Sequence, residues 1–110
     1  MPRLCANIGF LFPELPFLDR FEAAARAGFA GVEFASPYEY PQAELRARLR
    51  DNGLKQVLIN SWPGNRAAGE RGFACVPGKT QAFRDSIDQA LDAAAGLDCG
   101  LIHVISGVPP

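Results

Sequence analysis

Residues 60–78 read NSWPGNRAAGERGFACVPG and follow neither the helical nor the strand period. Within this long loop Glu70 and Arg71 lie between Gly69 and Gly72, and glycine lets a backbone turn tightly and approach a ligand closely. An arginine guanidinium presents a planar fork of donors that fits a carboxylate. The segment therefore predicts a carboxylate site with Arg71 as its clamp. The alternative is an internal Glu70–Arg71 interaction that only shapes the loop.

Loops of this length are uncommon in compact domains and are usually either functional or disordered. Trp62 and Phe73 place two large apolar side chains in this one. Such side chains favour a loop that packs down as a lid or wall. The composition thus predicts an ordered loop.

Two ionisable residues stand inside apolar segments. Glu33 belongs to the segment GVEF (31–34), where a carboxylate is costly unless it is paired or hydrogen-bonded. It is either a framework group bonded to an arginine or the backbone, or an acid that faces a pocket. His103 is the only histidine and shares a strand face with Leu101 and Ile105. It is either a hydrogen-bonded core or pocket residue, or a group that donates to a substrate oxygen and shuttles protons.

These residues need a scaffold, and the apolar periodicity predicts one. Short apolar segments at 4–10, 31–34, 54–60 and 101–106 indicate strands, and amphipathic segments at 17–28, at 41–53 and from Thr80 indicate helices. Thr80 is the predicted N-cap of the third helix, whose predicted buried stripe comprises Phe83, Ile87, Ala90, Leu91 and Ala94. This β-α-β-α-β-α-β order predicts a parallel sheet. An open doubly wound sheet and part of a (β/α)8 barrel both remain open.

Polar residues at the carboxyl ends of parallel strands are the usual site of function in such folds. Asn7, Asn60 and His103 occupy these positions, together with Glu33. They are therefore the candidate pocket residues.

Composition limits the function classes. A chain of 110 residues that is 48% hydrophobic and 21% charged suits one globular domain. A net charge of −1 argues against nucleic acid as a partner, and no apolar run is long enough to span a membrane. The chain has three cysteines, an odd number, and no CxxC motif, so we expect free thiols and a cytoplasmic location. Nucleotide-binding, hydrolase and metalloprotease motifs are absent.

Three segments resemble the hydroxypyruvate isomerase family, which includes the 2-oxo-tetronate isomerases. They are ANIGFLF (6–12), RAGFAGVEF with PYEY (26–40) and AAGERGFACVPG (67–78). The resemblance implies a xylose isomerase-like (β/α)8 barrel of about 250 residues. This chain would supply its first four strands and three helices, so that 1–110 form the N-terminal part of one domain.

The resemblance also implies an activity. Members interconvert hydroxypyruvate and tartronate semialdehyde, or related 2-oxo sugar acids, through an enediol, with two glutamates acting around a divalent metal, Mg or Mn. Those groups lie on later strands, so this chain is expected to hold no catalytic residue and no metal ligand, and to be inactive alone. The residues implied in substrate binding are Glu70, Arg71, Asn7, Asn60 and His103, and those that shape the pocket are Glu33, Trp62, Gly69 and Gly72.

Two other hypotheses differ in class. The chain could be a non-catalytic fragment that self-associates through open strand edges, which makes a homo-oligomer conceivable. It could instead be a DNA-repair endonuclease of the same barrel superfamily. One histidine and a net charge of −1 argue against the second, because such enzymes need a histidine-rich multi-zinc site.

Overall fold

Four parallel strands alternate with three helices in the computed structural model, which describes residues 1–110. The elements are β1 (Cys5–Asn7), α1 (Arg20–Arg26), β2 (Gly31–Phe34), α2 (Gln42–Asp51), β3 (Lys55–Asn60), α3 (Thr80–Gly96) and β4 (Ile102–His103). Single 3₁₀ turns occur at Phe17–Asp19, Pro37–Glu39 and Arg66–Ala68. The predicted order of strands and helices is confirmed.

The strand order is β1-β2-β3-β4, and every neighbouring pair is parallel. A doubly wound sheet reverses its order at a switch point, so that helices cover both faces. Here each strand lies beside the next one along the chain. Because such crossovers are right-handed, all three helices lie on the same side, as they do in a barrel. The fold is therefore a partial (β/α)8 barrel, and the open doubly wound alternative is wrong.

The core lies between the helices and one face of the sheet. Ala6, Val32 and Ile59 project from that face and, like Phe21 of α1, are 0% exposed. Residues that alternate with them project from the opposite face, where Cys5 and His103 are exposed and Glu33 is half-buried. The helix-covered face thus carries the packing, and the other face is left open for polar groups.

Two predicted strands are shorter in the structure. The strand predicted at 4–10 spans only Cys5–Asn7, because the N–H groups of Phe10 and Leu11 turn back to the carbonyl of Asn7. The strand predicted at 101–106 spans only Ile102–His103. After that point the N–H of Ile105 donates to the Ser61 hydroxyl instead of continuing the ladder.

Two predictions about α3 are also wrong. Lys79, not Thr80, is the N-cap, and no side chain caps this helix. Leu91 is 54% exposed although it was predicted to be buried. It lies about 100° around the helix from Ala90, which is fully buried, and therefore points away from the sheet.

None of the helices combines the length and the apolar character needed to cross a bilayer. Cys5, Cys75 and Cys99 are free thiols.

Candidate ligand-binding site at the strand ends

Two adjoining cavities open at the carboxyl ends of the strands. The first, of about 860 Å³, is lined by Asn7, Arg20, Glu33, Asn60, Arg66 and His103 among others. The second, of about 620 Å³, is lined by Tyr38, Trp62, Arg66 and Arg71 among others. The two cavities form one continuous groove, because five residues line both of them: Ala35, Ser36, Glu39, Asn60 and Arg66.

Asn7 and Glu33 are direct neighbours across β1 and β2. The Asn7 Nδ2 donates to Glu33 Oε1 at 3.4 Å, while Asn7 Oδ1 accepts from the backbone N–H of Gly9 at 3.0 Å. The partner of Glu33 is thus an amide side chain, and the carboxylate lines the first cavity. Partial burial and then the charge of Glu33 raise the pKa of the Cys5 thiol on the same strand face.

Asn60 and His103 form the equivalent pair across β3 and β4. The Asn60 Oδ1 lies 3.2 Å from His103 Nδ1. With that oxygen as acceptor, Nδ1 carries the proton and Nε2 is left to accept from a ligand. The side chain of His103 is exposed at the first cavity rather than packed in the core.

Tyr38 supports Asn60 from the loop after β2. Its phenol donates to the Asn60 carbonyl oxygen at 2.6 Å, and burial raises the pKa of Tyr38 from 10.0 to about 12. A neutral phenol can donate this bond, whereas a phenolate cannot. The backbone at Asn60 is therefore held in place by a donor that stays protonated far above neutral pH.

This pKa shift predicts a pH dependence of stability. Because the folded state keeps a proton that the unfolded state releases above pH 10.0, the free energy of unfolding should fall between pH 10 and about 12 and be unaffected by this group below that range. Urea unfolding of the wild type and of Tyr38→Phe, followed across pH 10, measures the difference. An equally steep fall in the phenylalanine variant would contradict the assignment.

Glu70 and Arg71 do not pair with each other. The Glu70 Oε1 accepts from the backbone N–H of Asn65 at 2.8 Å, and its Oε2 lies 4.0 Å from Lys79 Nζ. The Arg71 Nη1 donates to the carbonyl oxygens of Glu70 at 2.7 Å and of Arg66 at 3.3 Å. The two side chains therefore form no ion pair. Arg71 contacts Glu70 only through its carbonyl oxygen, and each side chain braces the loop backbone separately.

The long loop is bonded to the segment that follows β4. Gly69 and Gly72 adopt φ values of 87° and 95°, a conformation that favours glycine. The rings of Trp62 and Phe73 lie 6.0 Å apart, with Phe73 buried and Trp62 39% exposed at the second cavity. The N–H of Cys75 also donates to the carbonyl oxygen of Ser106 at 2.7 Å. The loop is thus a fixed wall of the groove.

The predicted substrate-binding residues are distributed unevenly. Asn7, Asn60 and His103 line the first cavity and Arg71 the second, whereas Glu70 points into the loop and lines neither. Sequence reasoning missed Arg66, which lines both cavities. Its position in the same polar loop was the available signal. Spacing alone could not separate it from Arg71.

The residues do not fit a complete metal site. No group of three or more histidine, cysteine, aspartate or glutamate side chains converges in the chain. We therefore assign no metal ligands to these residues and no chemical step to a metal here.

Comparison with known proteins agrees with the fold. The 2-oxo-tetronate isomerase of Pectobacterium atrosepticum is 52% identical over the whole chain, which covers 42% of that relative. The hydroxypyruvate isomerase of Escherichia coli K12 is 46% identical over the whole chain, which covers 43% of it. These relatives confirm the resemblance derived from the sequence. The chain spans about 42% of the length of the curated relatives it matches.

A solved structure supports the same conclusion. The crystal structure of a Brucella melitensis protein described as an AP endonuclease of family 2 superimposes with a TM-score of 0.95 at 49% identity. The match covers 98% of this chain and 42% of that one. Residues 21–110 match the model described as the xylose isomerase-like TIM barrel. This chain therefore belongs to the xylose isomerase-like TIM barrel family.

Proposed function

We propose that residues 1–110 form the N-terminal part of one barrel domain in a cytoplasmic isomerase of small 2-oxo acids. The reaction is the interconversion of hydroxypyruvate and tartronate semialdehyde, or of a related 2-oxo sugar acid. The observation that carries the proposal is the likeness, over the entire chain, to proteins named as isomerases of these two types. The open groove at the strand ends supplies a place for such a ligand.

The proposed reaction moves protons between adjacent carbons. Loss of a proton from the hydroxymethyl carbon and protonation of the neighbouring carbonyl oxygen give an enediol. Protonation of the middle carbon and loss of the hydroxyl proton from the terminal carbon then give the aldehyde. The groups that move these protons, and the Mg or Mn site, are proposed to lie outside these residues.

Within this chain the proposed roles are binding and orientation. The amides of Asn7 and Asn60 and the imidazole of His103 can hydrogen-bond the hydroxyl and carbonyl oxygens of the ligand. Glu33 holds the Asn7 amide at 3.4 Å and thereby limits the directions in which that amide can donate. Trp62 lines the second cavity, whereas Gly69 and Gly72 line neither cavity and act by shaping the loop that carries Arg66 and Arg71.

A nucleic-acid substrate is less consistent with the chain. The Brucella melitensis protein is described as an AP endonuclease. However, this chain has a net charge of −1 and one histidine. Binding to a phosphodiester backbone depends mainly on a surplus of basic side chains, which this chain lacks. The isomerase proposal therefore has the better chemical fit.

The test combines this chain with the rest of a barrel. In the hybrid barrel, the chain replaces the matching residues of the Pectobacterium atrosepticum 2-oxo-tetronate isomerase. We expect no turnover by the isolated chain with Mg²⁺ or Mn²⁺ added, and turnover of hydroxypyruvate or 2-oxo-tetronate by the hybrid barrel, each followed by proton NMR. Turnover by the isolated chain would contradict our placement of the proton-transfer groups. A folded but inactive hybrid barrel would contradict the isomerase proposal.

A second candidate is a non-catalytic role as a self-associating fragment. The observation that favours it is the exposure of apolar side chains near the sheet edges, with Leu4, Leu101 and Val108 between 57% and 59% exposed. A second copy of the chain could cover them. Sedimentation of the isolated chain in the same experiment decides this point: a stable dimer together with an inactive hybrid barrel would favour the fragment role.

A further inference from the structure

We propose that Arg66 binds the carboxylate of the acid substrate at the junction of the two cavities. This inference rests on the proposed function, because it takes a 2-oxo acid as the ligand. It assigns the carboxylate to a residue other than Arg71, the clamp expected from the sequence.

Arginines at the groove differ in what their guanidinium groups already contact, and Arg20 is held by two bonds to backbone carbonyls. Its Nε donates to the carbonyl of Leu15 at 3.1 Å and its Nη1 to that of Ile8 at 2.9 Å. Its guanidinium carbon also lies 5.9 Å from the centre of the Phe17 ring. Moving Arg20 toward a ligand would break these contacts, so it acts as a structural brace.

Arg71 is held through one of its guanidinium nitrogens. Its Nη1 donates to two carbonyl oxygens of its own loop, and the residue lines only the second cavity. Arg66, in contrast, lines both cavities, and its side chain makes neither a hydrogen bond nor an ion pair in the structure. All five guanidinium donors of Arg66 therefore remain available to an anion.

The backbone that carries Arg66 is held by its own network. The Asn65 side chain accepts from the N–H groups of Ala67 and Ala68 at 3.1 and 3.3 Å, and the N–H of Asn65 donates to Glu70 Oε1 at 2.8 Å. These bonds fix the 3₁₀ turn that presents Arg66. A fixed backbone lowers the entropy lost when the side chain is ordered on a ligand. In this arrangement Glu70 is a positioning residue.

The charged residues of the first cavity are two glutamates, Glu33 and Glu39, and two arginines, Arg20 and Arg66. The glutamates would repel a carboxylate that entered without a cationic partner, and Arg66 is the arginine of this pair that has no other bond to give up. Arg66 stands on the loop side, whereas Asn7, Asn60 and His103 stand at the strand ends. A carboxylate held by Arg66 would thus direct the hydroxyl and carbonyl oxygens toward the strand ends. This placement makes Arg66 a determinant of ligand orientation and of specificity for acids.

The experiment compares two ligands that differ in one group. Hydroxypyruvate and hydroxyacetone, in which a methyl group replaces the carboxylate, are titrated into the isotope-labelled 110-residue chain and followed by NMR. We expect Arg66→Gln to weaken hydroxypyruvate binding about tenfold and to leave hydroxyacetone unchanged, with partial retention in Arg66→Lys. Arg84→Gln, on the exposed face of α3, is the matched control and should bind as the wild type does.

The outcomes separate the two proposals. Unchanged hydroxypyruvate binding in Arg66→Gln, or a larger loss in Arg71→Gln than in Arg66→Gln, would overturn the inference and leave the proposed function standing. Equal binding of both ligands by the wild type would show that the chain has no carboxylate site, and would also overturn it. In the hybrid barrel, Arg66→Gln should raise KM for hydroxypyruvate about tenfold with little change in kcat, and Arg84→Gln should leave both unchanged. If the wild-type hybrid barrel does not turn over hydroxypyruvate, that result contradicts the proposed function, and the binding titration alone then decides the role of Arg66.

Discussion

Replacing Gly72 by alanine is expected to lower the free energy of unfolding by roughly 3 kcal/mol and to detach the long loop from the segment that follows β4. Gly72 has a φ of 95°, a region that a side chain makes unfavourable. A Cβ at this position would also overlap the carbonyl oxygen of Ile105, which is backbone and cannot rotate away. The close approach of the two backbones therefore requires glycine.

The chain offers a matched control in Gly69. This residue has a similar φ of 87°, but a Cβ built there meets no atom within 4 Å. Gly69→Ala should therefore cost only the conformational term, about 1 kcal/mol. Urea unfolding followed by the fluorescence of Trp62, the only tryptophan, measures both variants. Equal losses in the two variants would show that the contact with Ile105 contributes nothing.

Removal of the Phe21 ring is expected to have an effect of at least similar size. Phe21→Ala should lower the free energy of unfolding by roughly 3–5 kcal/mol, because a buried aromatic ring leaves a cavity that its neighbours fill only in part. Phe21 is 0% exposed, and the rings of Phe17 and Phe34 pack edge-on against it at 5.7 and 5.9 Å. This cluster joins α1 to β2 directly behind the first cavity. Its loss should loosen the site as well as the core.

Phe10→Ala is the control for this variant. The Phe10 side chain is 79% exposed, so its truncation should change stability by no more than about 0.5 kcal/mol. Circular dichroism during urea unfolding reports both midpoints. If the two alanine variants unfolded at the same urea concentration, the placement of Phe21 in the core would be contradicted.

Local patterns in the sequence were sufficient for the order of the elements and for several of their details. Gly28, which follows the first helix, has a φ of 96°, the left-handed conformation that glycine readily adopts at a helix end. Glu44 and Arg48 stand one helical turn apart in the sequence, and their side chains pair at 3.3 Å. Such features depend on residues within a few positions of one another, so residue type and spacing are enough to predict them.

The predictions that were wrong depend on distant neighbours. Leu91 has the spacing of a buried residue, but burial also requires another element opposite it, and no part of this chain covers it. The strand predicted at 101–106 ends early because the Ser61 hydroxyl takes the N–H of Ile105. The sequence contains the apolar residues in both cases, but not the position of their partners.

The candidate site shows the same difference between local features, which the sequence predicts, and contacts between distant residues, which it does not. The polar types at the strand ends and the glycines of the long loop were visible in the sequence, since they interrupt apolar or regular segments. The sequence did not show which of these residues contact each other. The pairs Asn7–Glu33 and Asn60–His103 join residues 26 and 43 positions apart, and they meet only through the register of the parallel strands. The difference between Arg66 and Arg71 likewise depends on where the loop carbonyls point in space. Those carbonyls hold one guanidinium nitrogen of Arg71, whereas the guanidinium of Arg66 bonds to none of them.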